Sequence, residues 1–224
     1  MSGVSLTPAQ ETVLRKYAQS VVEAPRHLSL TATRDGEEFW SRHVLDALAL
    51  LETVPASLRS GPARVLDVGS GNGIPGIPIA VIIPEWTINL LDSNSKKCGF
   101  IDTFCKIESI KNVHVIAARA EDIGHQSSQR SSYDIVFARA LGKLPVALEL
   151  SAPFLKNGGL LFVPHGTSWD SELASSKKAM KELAVEIISE SRYGDGFVAI
   201  IFKKIGDTPS KYPRAVGIPT KRPL

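Results

Sequence analysis

The sequence predicts an α/β protein built on a seven-stranded, mostly parallel sheet with one antiparallel strand, preceded by a helical extension. Three observations predict it. From residue 64 onward, apolar runs of strand length alternate with helix-length segments, the pattern of a sheet covered on both faces. The first run, R-V-L-D-V, ends in a glycine string, G-S-G-N-G-I-P-G, the kind of turn that joins a buried strand to a helix. The last two runs are separated only by Gly194-Asp195-Gly196 and their neighbours, too little for a crossover helix, so one of these strands runs antiparallel.

Taken in order, residues 6–58 read as helical. Leu6, Val13, Leu14, Tyr17, Val21 and Val22 recur at helical spacing, with Thr7-Pro8 as the start. A loop spans Ser29–Gly36, and Glu37–Leu51 carries Phe39, Trp40, Val44, Leu45, Leu48 and Leu51 on one broad side. Pro55 and Gly61-Pro62 close this segment. Strands are expected at Val65–Val68, Thr87–Leu91, Val113–Ala117, Tyr133–Ala138, Leu160–Pro164, Val185–Ser189 and Phe197–Lys203. Helices are expected at Pro75–Ile83, Lys96–Glu108, Leu144–Leu155 and Ser168–Leu183. Asn157-Gly158-Gly159 stops the third of these. The expected division is 1–60 helical extension, 61–205 nucleoside-binding core and 206–224 basic tail on or near that core.

Composition narrows the function classes. With 224 residues and 43% hydrophobic content, the chain can bury a core without staples. Its longest apolar stretch, Ile74 to Pro84, is broken by Pro75, Gly76 and Pro78, so no membrane partner is expected. The first twenty residues are polar and helix-like, and no secretory signal is visible. Cys98 and Cys105, the only cysteines, read as small packing residues of a reduced, cytoplasmic protein, and a monomer is expected. The net charge of +3 says little, but its distribution says more. From Lys203 to Leu224 there are six Lys or Arg residues against Asp207 alone, with four prolines. That stretch is either a solvated terminus or an arm that contacts phosphates.

The chemistry centres on the glycine string. Gly69, Gly71 and Gly73 at alternate positions, with Gly76 completing G-x-G-x-x-G, let backbone lie against a nucleoside without Cβ atoms in the way. Asp92 ends the second strand, twenty-three positions after Gly69, where a carboxylate can accept both ribose hydroxyls. It could equally cap the next helix, as could Ser93 or Asn94. Ala120-Glu121 follow the third strand, where an amide and a side chain could flank an adenine, or form a solvated turn. Arg139 ends the fourth strand at the ligand-binding edge of the sheet. Buried there, it needs a partner; Glu121 and Asp67 are the candidate acids, and cofactor or substrate contact is the alternative. A nicotinamide dinucleotide would use a similar glycine motif, but Pro75 and Pro78 remove amide donors a pyrophosphate would need. A phosphate-free adenosyl cofactor fits better, with its adenosine on Asp92 and its amino-acid end near Asp67 and Gly69. His27, His114 and His125 show no metal-binding spacing, so no metal is expected. His43 reads as a helix residue, with a minority role near the cleft. His165 follows the fifth strand near the sheet edge. Trp40, Trp86 and Trp169 read as core residues.

V-L-D-V-G-S-G-N-G-I-P-G-I-P, with R-H-V-L-D-A-L before it, A-R-A-E-D-I and F-A-R-A-L after it, and the ending K-Y-P-R-A-V-G-I-P-T-K-R-P-L, resembles the ribosomal RNA small-subunit methyltransferase G family. The likeness covers nearly the whole chain, and the P-G-I-P and Y-P-R…G-I-P segments are its specific parts. The resemblance implies a Rossmann-like class I methyltransferase fold and methyl transfer from S-adenosylmethionine to N7 of a guanine in 16S rRNA. It places cofactor contacts on Gly69, Ile74, Ala120, Glu121 and Arg139, with Asp67, Gly71, Gly73, Asp92 and Ser93 completing the expected pocket. Arg139 is the one candidate for a catalytic role. Arg34, Arg42, His43, Lys211, Arg214, Lys221 and Arg222 are the expected contacts to rRNA or the small ribosomal subunit. The chain departs from the family's usual N-L-T and H-x-L-D-S-L with S-L-T (Ser29–Thr31) and H-V-L-D-A-L (His43–Leu48), and carries Cys98 where a basic residue is common.

Overall fold

The computed structural model describes residues 4–165, 169–194 and 196–224, with only the backbone of Trp169, Asp170 and Ser171. The chain begins with α1 (Pro8–Glu23), a 3-10 turn (Arg26–Leu28), α2 (Gly36–Phe39), a π turn (Trp40–Val44), α3 (Leu45–Glu52) and α4 (Ala56–Arg59). The core then alternates β1 (Arg64–Val68), α5 (Gly76–Ile82), β2 (Thr87–Asp92), α6 (Ser95–Ile107), β3 (Val113–Ala117), α7 (Ala120–Ile123), β4 (Tyr133–Ala138) and α8 (Leu144–Ser151). It ends with β5 (Leu155–His165), α9 (Trp169–Ser175), α10 (Lys177–Leu183), β6 (Val185–Tyr193), β7 (Phe197–Lys204) and α11 (Ile218–Lys221).

The sheet order is β3-β2-β1-β4-β5-β7-β6. Strands β1 to β5 pair in parallel, and β7 is antiparallel to both neighbours. That is the predicted architecture, with β7 as the reversed strand. The order turns at β1/β4, so the carboxyl ends of β1, β2 and β4 meet at one crevice, where open α/β sheets bind ligands.

Strand periodicity sorts the core. Val65, Ile135 and Phe137 pack with α1, α3, α5 and α6 on one face, whereas Leu66, Val68 and Val136 pack with α8 and α10 on the other. The N-terminal helices therefore share the core of the sheet's first face. Helix α1 starts where the sequence signals, with Thr7 accepting from the Gln10 N–H and Gln10 answering the Thr7 N–H in a capping box, a device worth about 1 kcal/mol. Leu14, Tyr17, Ala18 and Val21 form its buried stripe.

Several boundaries differ from expectation. The helix expected over Leu144–Leu155 ends at Ser151 in a 3-10 turn, and β5 already begins at Leu155. The glycines expected to stop that helix instead lie inside β5: Gly158 has φ +82° and the register with β4 shifts between Tyr133 and Ile135. The expected long helix after β5 is two, α9 and α10, meeting at Ser176, and the expected start at Ser168 lies outside the described residues. Strand β6 runs on to Tyr193 because β7 pairs with it along its whole length. Trp86 is fully buried and donates to the Gly61 carbonyl at 3.1 Å, and Trp40 is buried as expected; the side chain of Trp169 lies outside the described residues. Cys98 and Cys105 are free and buried.

Candidate active site

The site is assembled at the end of β1. Gly69 and Ser70 donate their N–H groups to the Leu91 carbonyl at 2.8 and 3.0 Å, so the turn is clamped to β2. Gly69 has φ +70°, a left-handed conformation that favours glycine, and a Cβ there would also require the Leu141 side chain to move. The Ile74–Pro75 peptide is cis. Helix α5 follows, and its Gly76 N–H donates to Asp67 Oδ2 at 3.0 Å. A Cβ at Gly76 would collide with Leu90, so glycine is what lets the helix start lie against the β1 acid.

Asp67 is 1% exposed, and its Oδ1 has no hydrogen-bond partner among the described residues. Burial pushes its carboxyl well above the usual range. The Gly76 N–H and Arg139 oppose that rise, and Asp92 adds to it. A buried acid with one oxygen open calls for a cation. Asp92, half-buried at the end of β2, is held by two backbone donors: Gly71 N–H to Oδ2 at 2.9 Å and Asn94 N–H to Oδ1 at 2.8 Å. Each oxygen keeps a lone pair for a further donor. Asn94, not Asp92 or Ser93, caps α6, accepting from the Lys96 and Lys97 N–H groups. The two carboxylates, the bare glycine turn and the open Oδ1 fit an adenosyl amino acid: hydroxyl donors on Asp92, an ammonium group on Asp67.

The turn is also braced from the N-terminal helices, which the sequence did not disclose. The buried Tyr17 hydroxyl of α1 donates to the Asn72 carbonyl at 2.6 Å. Asn72 in turn donates to the Leu30 carbonyl at 3.1 Å and accepts from the Ile74 N–H at 3.3 Å. Helical spacing identified Tyr17 only as an apolar stripe residue; no pattern announced its phenol as a loop clamp. Replacing Tyr17 by Phe is expected to cost about 1–3 kcal/mol of stability in denaturant unfolding. It should also weaken cofactor binding severalfold in calorimetry, because the turn loses its brace.

Arg139 corrects an expectation. Neither Glu121 nor Asp67 is its ion-pair partner; its guanidinium lies 3.1 Å from Asp46 Oδ2 on α3. Strand parity explains this, since Ile135, Phe137 and Arg139 all point to the face covered by the N-terminal helices. Asp46 is 7% exposed and lies in the first turn of α3, two residues after the π turn, a type of irregularity frequent at functional sites. His43, within that turn, packs on Phe39 at 4.8 Å between ring centroids. Burial, then Arg139 and Arg42, lower its pKa, which keeps the imidazole neutral at neutral pH.

The adenine-side candidates lie on the other face. Ala120 and Glu121 are buried at the start of α7, and Glu121 Oε1 accepts from the Gly217 N–H of the tail at 3.1 Å. The loop after β4 has Ala140 at φ +57° and Gly142 at φ +92°, and with Val163 and His165 it borders a pocket of about 190 Å³. His165 lies 3.4 Å from Glu172, which accepts from the Leu144 N–H at 2.8 Å and so holds the start of α8.

The basic candidates divide. Arg34, Arg42, Lys211, Lys221 and Arg222 are exposed. Arg42 pairs with Glu38 at 2.7 Å and Lys211 with Glu182 at 3.5 Å, both at the surface. Arg214 is not available to phosphates as expected. Its Nε and a terminal nitrogen donate to the two oxygens of Glu149, at 2.8 and 2.6 Å, and Glu149 is fully buried. The tail is tied to the core at several points. Arg130 donates to the carbonyls of Gly124, Thr208, Pro209 and Tyr212, and Tyr212 is buried. Among the described residues no His, Cys, Asp or Glu cluster could hold a metal ion, and no helix is long and apolar enough to cross a membrane.

A seven-stranded sheet in this order, with an acid near the end of β1, a glycine turn after it and a second acid at the end of β2, defines the Rossmann-like fold of class I methyltransferases. The fold is similar to a SAM dependent methyltransferase from Aquifex aeolicus, with a TM-score of 0.58 and 13% identity, covering 75% of this chain and 93% of that one. The profile described as rRNA small subunit methyltransferase G matches residues 10–192. Over 226 residues the chain is 35% identical to Ribosomal RNA small subunit methyltransferase G of Streptococcus agalactiae serotype V, covering 99% of this chain and 94% of that protein. It is 34% identical to the protein of that name from Trichormus variabilis, covering 97% and 92%. The chain belongs to the rRNA small subunit methyltransferase G family.

Proposed function

We propose that this protein methylates N7 of a guanosine in small-subunit (16S) rRNA, with S-adenosylmethionine as cofactor. The observation that carries the reading is Asp67: a buried carboxylate with one open oxygen, at the foot of a glycine turn, in a chain of this family. Bound there, the cofactor supplies an electrophilic methyl group on a sulfonium. Asp67 holds its ammonium group, Asp92 its ribose hydroxyls, and the 69–74 turn gives its backbone room. Ser93, Ala120 and Glu121 line the adenine side, and Arg139 closes the cleft from β4.

Guanine N7 has a lone pair and no proton to lose. The protein's task is therefore to orient the base, exclude water and tolerate the cation formed on it. Neutral His43 and the Arg139–Asp46 pair suit that task, because they add no net positive charge beside the reacting atoms. Exposed Arg34, Arg42, Lys211, Lys221 and Arg222 contact rRNA phosphates and make binding salt-dependent. The protein acts as a cytoplasmic monomer on rRNA or the small subunit.

Small subunits and naked 16S rRNA from cells lacking the gene, incubated with protein and methyl-labelled S-adenosylmethionine, test this. Label is expected in a single guanosine, located by chain cleavage at N7-methylated sites. Label absent from both substrates, or found on an exocyclic amine, sinks the proposal.

A further inference from the structure

Two buried carboxylates and one arginine share the sheet face covered by the N-terminal helices. Asp46, 7% exposed, holds the Arg139 guanidinium at 3.1 Å. Asp67, 1% exposed, has among the described residues only the Gly76 N–H on one oxygen and no partner on the other. Strands β1 and β4 are neighbours, and Asp67 lies opposite Phe137, two residues before Arg139, which brings the Arg139 charge within reach of the Asp67 carboxyl. Tyr193, at the end of β6, has a buried hydroxyl with no hydrogen-bond partner among the described residues and feels both Asp46 and Arg139. No acid but Asp46 is in ion-pair contact with Arg139 among the described residues.

We propose that Asp46 is a positioning residue: it holds the Arg139 guanidinium on the α3 side of the cleft and so keeps the open oxygen of Asp67 for the ammonium group of an adenosyl amino acid. The inference rests on the cofactor reading above. A buried guanidinium needs an acid, and a buried acid needs a cation. With Asp46 neutral, the other buried carboxylate on this face is Asp67, and Arg139 turns to it. A guanidinium on Asp67 Oδ1 competes with the ligand's ammonium for the same lone pairs. The long, rotatable arginine side chain makes this a choice between two acids, and the charge at position 46 decides it. The effect is confined to the amino-acid end of the ligand, because Asp92, which would hold the ribose, is on β2, across β1 from β4.

The test compares two nucleosides by calorimetry on the full chain: S-adenosylhomocysteine, which carries the amino-acid end, and 5′-methylthioadenosine, which lacks it. Asp46→Asn preserves shape and removes charge. The expected result is S-adenosylhomocysteine binding at least tenfold weaker, with methylthioadenosine within twofold of the wild type. General loosening of the site would weaken both alike, and that outcome, or no change in either, overturns the proposal. If the Asn variant does not fold, Asp46→Glu decides. It keeps the ion pair but pushes the guanidinium one methylene toward Asp67, so S-adenosylhomocysteine should bind about fivefold weaker and methylthioadenosine unchanged. Unaltered or equally weakened binding of both nucleosides by the Glu variant overturns it. Wild-type protein that binds neither nucleoside overturns the cofactor reading itself, and this inference with it.

Discussion

Exchanging Asp67 for Asn weakens cofactor binding by about one to four orders of magnitude and at the same time raises the melting temperature of the cofactor-free protein. The substitution keeps an oxygen to accept the Gly76 N–H and removes a charge that the fold does not welcome. Asp67 is fully enclosed, and burial drives its carboxyl up more strongly than the Gly76 N–H and Arg139 hold it down. A ligand ammonium is the missing counter-charge. Losing one member of a buried, hydrogen-bonded charge pair costs about 2–5 kcal/mol of binding, between one and four orders of magnitude in Kd. Calorimetry with S-adenosylhomocysteine reads the loss, and calorimetric or fluorescence melting reads the gain. An Asn variant with wild-type affinity would overturn the assignment of Asp67 as the ammonium site.

The same carboxyl sets two opposite pH dependences. In the free protein its pKa lies above the value of 3.8 it has when unfolded. Its contribution to stability is therefore fully present below that unfolded value and is lost as pH rises through the folded one. Wild-type protein should lose stability across this window relative to Asp67→Asn, and the gap between their melting temperatures should widen with pH. Binding runs the other way, because the ammonium favours the ionised acid. Affinity for S-adenosylhomocysteine should fall as pH drops through the folded value, with proton release on binding in that range. Calorimetry in buffers of different ionisation enthalpy measures that release; binding without it contradicts the role given to Asp67.

What could be read from the sequence and what could not follow one physical division. Period-2 strands, short helical stretches and glycines at forced positions are local properties, so the sheet, its reversed partner near the end and the turn after β1 were all legible. The acids that terminate β1 and β2 were legible too, because strand ends at a topological switch are fixed by the alternation itself. Pairings made across the fold were not. Arg139 was recognisable as a buried cation in want of an acid, yet its partner lies 93 positions earlier on α3, and only strand parity in three dimensions selects Asp46 over Asp67 or Glu121. Tyr17 looked like any apolar stripe residue, and its hydroxyl proves to brace Asn72. The tail misled for the same reason. Charge and proline content suggest an arm, but they do not reveal that Glu149, a carboxylate within an apolar helix, waits in the core for Arg214.

Replacing Arg214 by Ala separates folding from RNA contact within that tail. Glu149 is fully buried on α8 and receives three hydrogen bonds from Arg214, two from the guanidinium and one from the backbone N–H at 2.9 Å. The Ala variant keeps the last of these and strands the charge, and removing one partner of a buried ion pair costs about 3–5 kcal/mol. For a chain of this size each kcal/mol lowers the melting temperature by about 2–4 °C, so a drop on the order of 10 °C is expected. The guanidinium also donates to the Arg222 carbonyl at 2.8 Å, so the end of the tail loosens with it. Below the melting transition, however, the dependence of rRNA affinity on salt should keep its slope, because Arg214 neutralises Glu149 and not a phosphate. Lys221→Ala and Arg222→Ala should behave the opposite way, leaving the melting temperature near the wild type while each lowers the slope of log affinity against log salt by about one. Melting curves and equilibrium binding over a salt series distinguish the two kinds of basic residue. An Arg214→Ala variant that melts like the wild type but loses salt dependence would return that arginine to the RNA-binding surface.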